Sequence, residues 1–208
     1  MYKRIVVWAI AAIWAICGPS SAETSWKKVK EVEGITVYTR PVEGSDLDEF
    51  MGQTLIDAPV EVLNDILEDV PALTRWMYNC KTSYVIERTG KDRAIVYNET
   101  FAPWPVENRD VVVESNTRRE ANRVIRSFRA VSHAKMPPKK GVVRITDMDG
   151  AWVFESRGEK TFVTYRVRSH PGGSIPPSIA NWTSIKLPVD TLKGLRRMTG
   201  DQKYRKRN

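Results

Sequence analysis

The final helix of this chain constrains its fold more than any other segment. The sequence predicts a helix over residues 175–198, because apolar residues recur at steps of three and four: Ile179, Trp182, Ile185, Val189, Leu192 and Leu195. Gly172 and Gly173 before it allow a free hinge, and Pro176 and Pro177 suit a first helical turn. A lone apolar helix needs a surface to cover. We therefore expect it to lie across a sheet, where it either fills a core or roofs a cavity.

Strand-like segments dominate the sequence before this helix. A short first helix is predicted at residues 26–33, and helical segments are predicted at 59–67 and 72–78. Turn signals such as Asp149-Gly150 separate the predicted strands at 35–38, 49–56, 83–88, 94–102, 110–116, 123–132, 141–147, 151–156 and 161–169. This order is typical of an α+β fold, with helices gathered on one face of an antiparallel sheet.

The N-terminus has the organisation of a secretory signal peptide. Lys3 and Arg4 precede an apolar run over residues 5–17, and small residues lead to a cleavage site after Ala22. The alternative is a membrane anchor, but the run is shorter than the roughly 20 residues that a spanning helix needs. We predict a signal peptide at 1–22 and a periplasmic or secreted location.

The positive charge of the chain is concentrated at its C-terminus. Residues 193–208 hold seven basic side chains and one acidic residue, Asp201, whereas the body between signal and tail has 24 basic and 24 acidic residues. A basic tail at 200–208 suggests transient contact with an anionic membrane surface, and a solubilising terminus is the alternative. The neutral sheet region argues against a nucleic-acid partner.

Residue alternation gives candidate interior faces on the strands. One row contains Glu99 among Ile95, Tyr97 and Phe101, and another contains Arg126 among Val124, Phe128 and Ala130. A buried carboxylate is tolerable when it pairs with a guanidinium, so a Glu99–Arg126 pair is a hypothesis. In the alternative, one or both rows face solvent.

No catalytic constellation stands out in the sequence. The two histidines, His133 and His170, have no partners at metal-ligand spacing, and no phosphate-binding loop or nucleophile elbow occurs. Removal of the signal leaves Cys80 as the single cysteine, which we interpret as a structural thiol. We therefore predict no catalytic residues, no metal and no cofactor.

Three segments together resemble a known family. They are PWPVENRDVV at 103–112, MPPKKGVVR at 136–144 and PGGSIP at 171–176 followed by Asn181. In this order they resemble the strand entries and the final-helix entry of START domains, the steroidogenic acute regulatory protein-related lipid-transfer domains. The resemblance covers about residues 26–198.

The resemblance implies a helix-grip fold, in which a curved antiparallel sheet wraps around the C-terminal helix and encloses a hydrophobic cavity for one lipid. It also implies a non-catalytic lipid carrier, here a monomeric domain over residues 23–199. A sensing module, or a cyclase-like or hydrolase-like enzyme using Tyr97, Glu99 or Tyr165, is the alternative. Glu99 lies where some sterol-binding members carry a cavity acid, but Ser115 stands where those members carry its arginine partner. The predicted ligand contacts are Tyr97, Glu99, Phe101, Val111, Val113, Arg126, Phe128, Tyr165, Ile179, Trp182 and Thr183.

Overall fold

The computed structural model describes residues 25–45, 47–173 and 177–205, with side chains in the last range described from Trp182 onward. The predicted signal peptide and residues 206–208 of the predicted tail lie outside the described residues. No helix within the described ranges is both long enough and apolar enough to cross a membrane. The strands are β1 (Lys27–Val32), β2 (Ile35–Arg40), β3 (Glu49–Ile56), β4 (Cys80–Arg88), β5 (Arg93–Thr100), β6 (Asn108–Glu120), β7 (Arg123–Ala130), β8 (Val142–Arg144), β9 (Asp147–Arg157) and β10 (Lys160–His170). The helices are α1 (Val60–Glu68), a 3₁₀ segment (Val70–Arg75), α2 (Pro177–Met198) and α3 (Gln202–Arg205).

The strands form one open sheet in the order β1-β2-β3-β10-β9-β7-β6-β5-β4. All neighbours along this path are antiparallel, and the short β8 pairs in parallel with Asn108–Asp110 at the start of β6. The pairing of β3 with β10 joins the first strands to the last. This topology confirms the predicted antiparallel sheet and the α+β class.

The predicted first helix at residues 26–33 is wrong, because this segment forms β1. Glu33 and Gly34 both have positive φ, 50° and 71°, as a two-residue turn between twisted antiparallel strands requires. The turn pairs Val32 with Ile35 and directs the preceding residues along β2. A local hairpin therefore overrides the mixed apolar and charged pattern that suggested a helix.

The predicted turn at Asp149-Gly150 is also wrong, because both residues lie inside β9. Gly150 pairs with Val167 on one side and Phe128 on the other. A Cβ on Gly150 would lie 2.5 Å from Phe128 Cζ, so the glycine leaves room for this ring. Gly150 is a packing residue within a strand, as glycine often is where side chains approach a backbone closely.

Helix α2 lies on β2 and β3, and two glycines allow a close approach. A Cβ on Gly52 of β3 would lie 2.9 Å from Leu192 Cδ1 and 3.0 Å from Pro188 Cβ. On the helix itself, a Cβ on Gly194 would lie 2.1 Å from the carbonyl oxygen of Trp76. Backbone contact at Trp76 thus holds the second half of α2 against the rest of the domain.

The two halves of α2 have different surroundings. In the second half, the core side chains are buried: Val189, Leu192, Leu195 and Met198. In the first half, Trp182 is half exposed, and it borders a cavity together with Thr183 and Leu187. Pro188 lies within the helix close to this change. The helix therefore fills a core at one end and roofs a cavity at the other.

Helix α3 packs the first part of the predicted basic tail onto the domain. Tyr204 is buried, and its hydroxyl donates to Asp69 Oδ2 at 2.7 Å, while Lys203 also pairs with Asp69. Residues 182–198 of α2 span about 24 Å at 1.5 Å per residue. The described part of the tail therefore lies at the opposite end of α2 from Trp182.

We expect Gly194→Ala to lower the free energy of unfolding by about 1–3 kcal/mol, because the added methyl group overlaps the Trp76 carbonyl. In an open helix the same substitution stabilises by up to about 1 kcal/mol, so the sign of the change is diagnostic. Urea unfolding measures it. Arg197→Ala, an exposed change in the same helix, should shift stability by less than about 0.5 kcal/mol. A stabilised Gly194→Ala variant would contradict the close contact.

Candidate functional site

Two adjacent chambers lie between the sheet and the helices. The sheet chamber, of about 160 Å³, lies over β5, β6 and β7 and is closed at one side by Leu67 and the 3₁₀ segment. The loop chamber, of about 180 Å³, lies between residues 101–106 and the first half of α2. The two chambers share six wall residues, Phe50, Tyr78, Thr100, Met148, Val167 and Leu187. Both chambers are large enough to hold several atoms of a ligand, and their walls are mostly apolar.

Strand alternation builds the wall of the sheet chamber. Side chains at every second position point inward, as a pleated strand requires: Val96, Asn98 and Thr100 from β5, and Val111, Val113 and Ser115 from β6. The stacked rings of Trp152 and Tyr165, 3.8 Å apart, extend the wall over β9 and β10. Each chamber thus presents a broad apolar surface with isolated polar groups.

Arg126 is the charged group of the sheet chamber. Its side chain is 12% exposed, and Nη2 donates to Glu68 Oε1 at 2.8 Å. Burial lowers the pKa of the guanidinium, and the Glu68 carboxylate opposes that shift. Arg126 Nε is buried and has no hydrogen-bond partner. Glu68 Oε1 also accepts a hydrogen bond from Arg119 Nη2 at 3.2 Å, so Arg126 shares its carboxylate partner and keeps one donor available.

Tyr97 and Glu99 do not face the cavity, which corrects the predicted interior row on β5. They lie on the opposite face of the sheet, where the Tyr97 hydroxyl is 3.2 Å from Glu99 Oε2 and 3.1 Å from Asp110 Oδ2. Lys139 donates to the Tyr97 hydroxyl at 2.8 Å from the loop that covers this face. Burial raises the pKa of Tyr97, and the hydrogen bond from Lys81 is the main reason that the pKa of Glu99 is lowered. This polar cluster buries Tyr97 without placing it near a ligand.

The hypothesised Glu99–Arg126 pair is wrong. Across the intervening strand β6, Glu99 aligns with Asp110, whereas Arg126 aligns with Thr117. Seven residues along a strand separate these positions by about 23 Å. The two side chains also lie on opposite faces of the sheet, so each has a different partner.

The other predicted site residues fall into two groups. Eight of them line the cavity: Phe101, Val111, Val113, Arg126, Phe128, Tyr165, Trp182 and Thr183. The side chain of Ile179 lies outside the described residues. Contact between these residues and a ligand remains a prediction.

Sequence reasoning missed Asn98 and Ser115 as polar wall residues. Asn98 Oδ1 accepts a hydrogen bond of 2.7 Å from Ser83, and Ser115 is buried in the wall. The signal was present in the alternation of β5, whose even-numbered row is Val96, Asn98 and Thr100. The prediction instead places the odd-numbered, more apolar row inside, and a one-residue shift exchanges the two faces.

Cys80 lines the sheet chamber as a protonated thiol. Burial raises its pKa to about 11, and its sulfur lies 3.8 Å from the carbonyl oxygen of Thr82. The thiolate is the nucleophilic form of cysteine, and very little of it exists at neutral pH with such a pKa. Cys80 therefore belongs to the wall and is not an activated nucleophile.

Comparison with known proteins identifies this architecture. The family model of the START domain matches residues 16–205. The chain belongs to the START family. The recognition made from the three sequence segments is thus confirmed, as is the helix-grip fold.

START relatives of this chain come from bacteria and animals. An uncharacterized Pseudomonas aeruginosa protein is 37% identical over 188 residues, which cover 89% of this chain and 92% of that protein. The human phosphatidylcholine transfer protein is 28% identical over 197 residues, with 88% and 90% covered. The crystal structure of a STAR-related lipid transfer protein fragment from Xanthomonas axonopodis has a TM-score of 0.78 at 35% identity and covers 85% of this chain and 99% of that one.

Proposed function

We propose that this START protein binds a single lipid in the two adjacent chambers and carries it between membranes without changing it chemically. The observation that carries the proposal is the mostly apolar cavity roofed by the first half of α2. Two relatives are lipid transfer proteins by name, which supports the same function. The periplasmic or secreted location and the monomeric state remain predictions from the sequence.

The apolar walls supply the energy for such binding. Each CH₂ group that leaves water contributes about 0.8 kcal/mol, so a chain of about 16 carbons contributes roughly 13 kcal/mol before the costs of ordering and opening. Polar contacts are then needed mainly to orient the lipid. The two chambers contain few polar groups, as expected if apolar walls provide the affinity and polar groups orient the lipid.

The composition of the cavity wall supports a carrier over an enzyme. Of the three residues suggested for an enzyme, Tyr97 and Glu99 lie on the opposite face of the sheet. The third, Tyr165, is buried, which raises the pKa of its hydroxyl and keeps it protonated. Cys80 is likewise protonated at neutral pH. We therefore infer that the wall binds a ligand and does not activate it.

Ser115→Trp should abolish most lipid uptake, because the indole would occupy much of the sheet chamber. Asn116→Trp is the matched control, since Asn116 is the next residue on β6 and is exposed on the opposite face. Both variants would be purified, incubated with vesicles of bacterial phospholipids and analysed for bound lipid by native mass spectrometry. Equal lipid occupancy in a folded Ser115→Trp variant and the control would contradict binding in the sheet chamber.

We also propose that the rim of the loop chamber contacts the membrane. Three large apolar side chains are exposed here: Phe101 is 53%, Trp104 is 92% and Trp182 is 50% exposed. Exposed aromatic side chains of this kind suit the membrane interface. The sequence instead suggested the basic tail, whose described part packs near Asp69 at the other end of α2. The rim is the better candidate because it adjoins the cavity.

Trp104→Ser should slow lipid transfer between anionic vesicles several-fold and leave lipid affinity and stability unchanged, because Trp104 is exposed and does not line either chamber. A chain that ends at Arg205 removes two basic residues of the tail and should transfer lipid at nearly the normal rate. Fluorescence dequenching of a labelled phospholipid measures both rates. A normal rate for Trp104→Ser together with a slow rate for the shortened chain would assign membrane contact to the tail.

A further inference from the structure

Arg109 presents a buried charge to the loop chamber. The residue is 8% exposed and lines this chamber at the start of β6. Its Nη1 donates to the carbonyl oxygen of Glu107, while its Nε is buried without any hydrogen-bond partner. Burial lowers the pKa of the guanidinium. The ordinary pKa of an arginine side chain is so far above 7 that the group stays charged. The chamber wall therefore contains a cation with unused donor capacity.

Two other largely buried arginines, by contrast, have carboxylate partners. The Arg126 side chain, 12% exposed, pairs with Glu68, which also pairs with Arg119. The Arg144 side chain, also 12% exposed, binds both carboxylate oxygens of Asp110, at 2.7 and 3.0 Å. No carboxylate among the described residues lies within 4.0 Å of the Arg109 guanidinium. A buried and unpaired charge is costly, so a counter-charge from outside the described chain would relieve that cost.

The nearby acidic groups do not supply this counter-charge. Glu107 favours the charged form of Arg109 only through a longer-range interaction, and its side chain is exposed. Asp48 also borders the loop chamber and is exposed to solvent. Neither carboxylate forms an ion pair with Arg109 in the described structure.

A second unused donor lies in the same chamber. Ser169 Oγ, near the end of β10, is buried and has no hydrogen-bond partner. Beside the guanidinium, the chain at Gly173 lacks a side chain, and a Cβ there would lie 3.9 Å from Arg109 Nη2. Gly173 has a φ of 62°, so a side chain at this position would also be strained. The chamber wall thus combines a guanidinium and a hydroxyl, and a glycine lies beside the guanidinium.

From this arrangement we propose that Arg109 and Ser169 bind an anionic oxygen of the lipid head group, a phosphodiester or a carboxylate, in the loop chamber. The inference rests on the proposed function and names the class of lipid. A guanidinium binds two oxygens of such a group at once, with Ser169 as a third donor. Because Arg126 already has a carboxylate partner in Glu68, the sheet chamber suits the acyl chains, and the head group lies nearer the exposed rim.

The test compares two lipids that differ only in the head group, dioleoylphosphatidylglycerol and dioleoylglycerol. Each would displace a fluorescent diacylglycerol from the full chain and its variants. Arg109→Gln should weaken phosphatidylglycerol binding about 10- to 100-fold, as expected for a lost charged hydrogen-bond pair, and leave dioleoylglycerol binding within about twofold. Ser169→Ala should weaken phosphatidylglycerol binding by about 2- to 10-fold, again without affecting dioleoylglycerol.

Two controls separate this effect from folding and from surface charge. Arg129→Gln removes an exposed arginine that pairs with Glu114, and it should change neither affinity. Ser169→Ala removes an unpartnered hydroxyl, so its thermal stability should match that of the natural chain, and this variant decides the outcome if Arg109→Gln fails to fold. Inorganic phosphate serves as a third ligand.

The outcomes distinguish the two levels of the proposal. If the natural chain binds both lipids but neither substitution changes their relative affinities, the head-group site is wrong and the carrier function stands. If the natural chain binds neither lipid, the carrier function itself is contradicted. If inorganic phosphate alone binds through Arg109 and phosphatidylglycerol does not, the anion is a free phosphate and the lipid head-group assignment is overturned.

Discussion

The contact between the second half of α2 and the domain body determines the rest of the structure. Gly52 allows Pro188 and Leu192 to approach β3, and Gly194 places the helix against the Trp76 backbone. Buried apolar side chains then fix this end of the helix in the core, each contributing about 1.5–3 kcal/mol. Because one end is held so closely, the first half extends from the core over a surface that it covers without filling. The cavity forms because only the second half of α2 packs closely against the domain.

The polar groups of the cavity are arranged unevenly along its length. In the sheet chamber, Arg126 has a carboxylate partner in Glu68. In the loop chamber, Arg109 has no such partner among the described residues, and Ser169 adds an unpaired hydroxyl. A lipid with an anionic head and apolar chains matches this polarity in one orientation. In the reverse orientation, the head group would lie beside the Arg126–Glu68 pair, and the acyl chains would lie beside the charge of Arg109.

The long-range plan of the fold was predictable, because it depends on patterns that span many residues. The apolar stripe of α2 and the strand at 49–56 were both found, and the family resemblance joined them into the helix-grip fold. The errors arose where a local contact decides the outcome. The Glu33-Gly34 turn makes β1 a strand, and the ring of Phe128 explains Gly150 inside β9.

The site was only partly predictable for the same reason. The predicted contacts on β6, β7 and β10 lie on the cavity face. The predicted row on β5 is one residue out of phase, so Tyr97 and Glu99 lie outside the cavity. Arg109 is not among the predicted ligand contacts, and nothing in its sequence neighbourhood shows that its guanidinium has no carboxylate partner among the described residues. A missing carboxylate partner becomes evident only when the contacts of every buried arginine are known.

Native mass spectrometry of the purified protein, followed by organic extraction, tests the central claim most directly. The structure predicts a complex of one chain with one intact lipid, whose head group is anionic or zwitterionic and whose release leaves the chain folded. A protein that is empty after purification and takes up no lipid from vesicles of bacterial phospholipids would contradict the claim that the space beneath α2 is a lipid site.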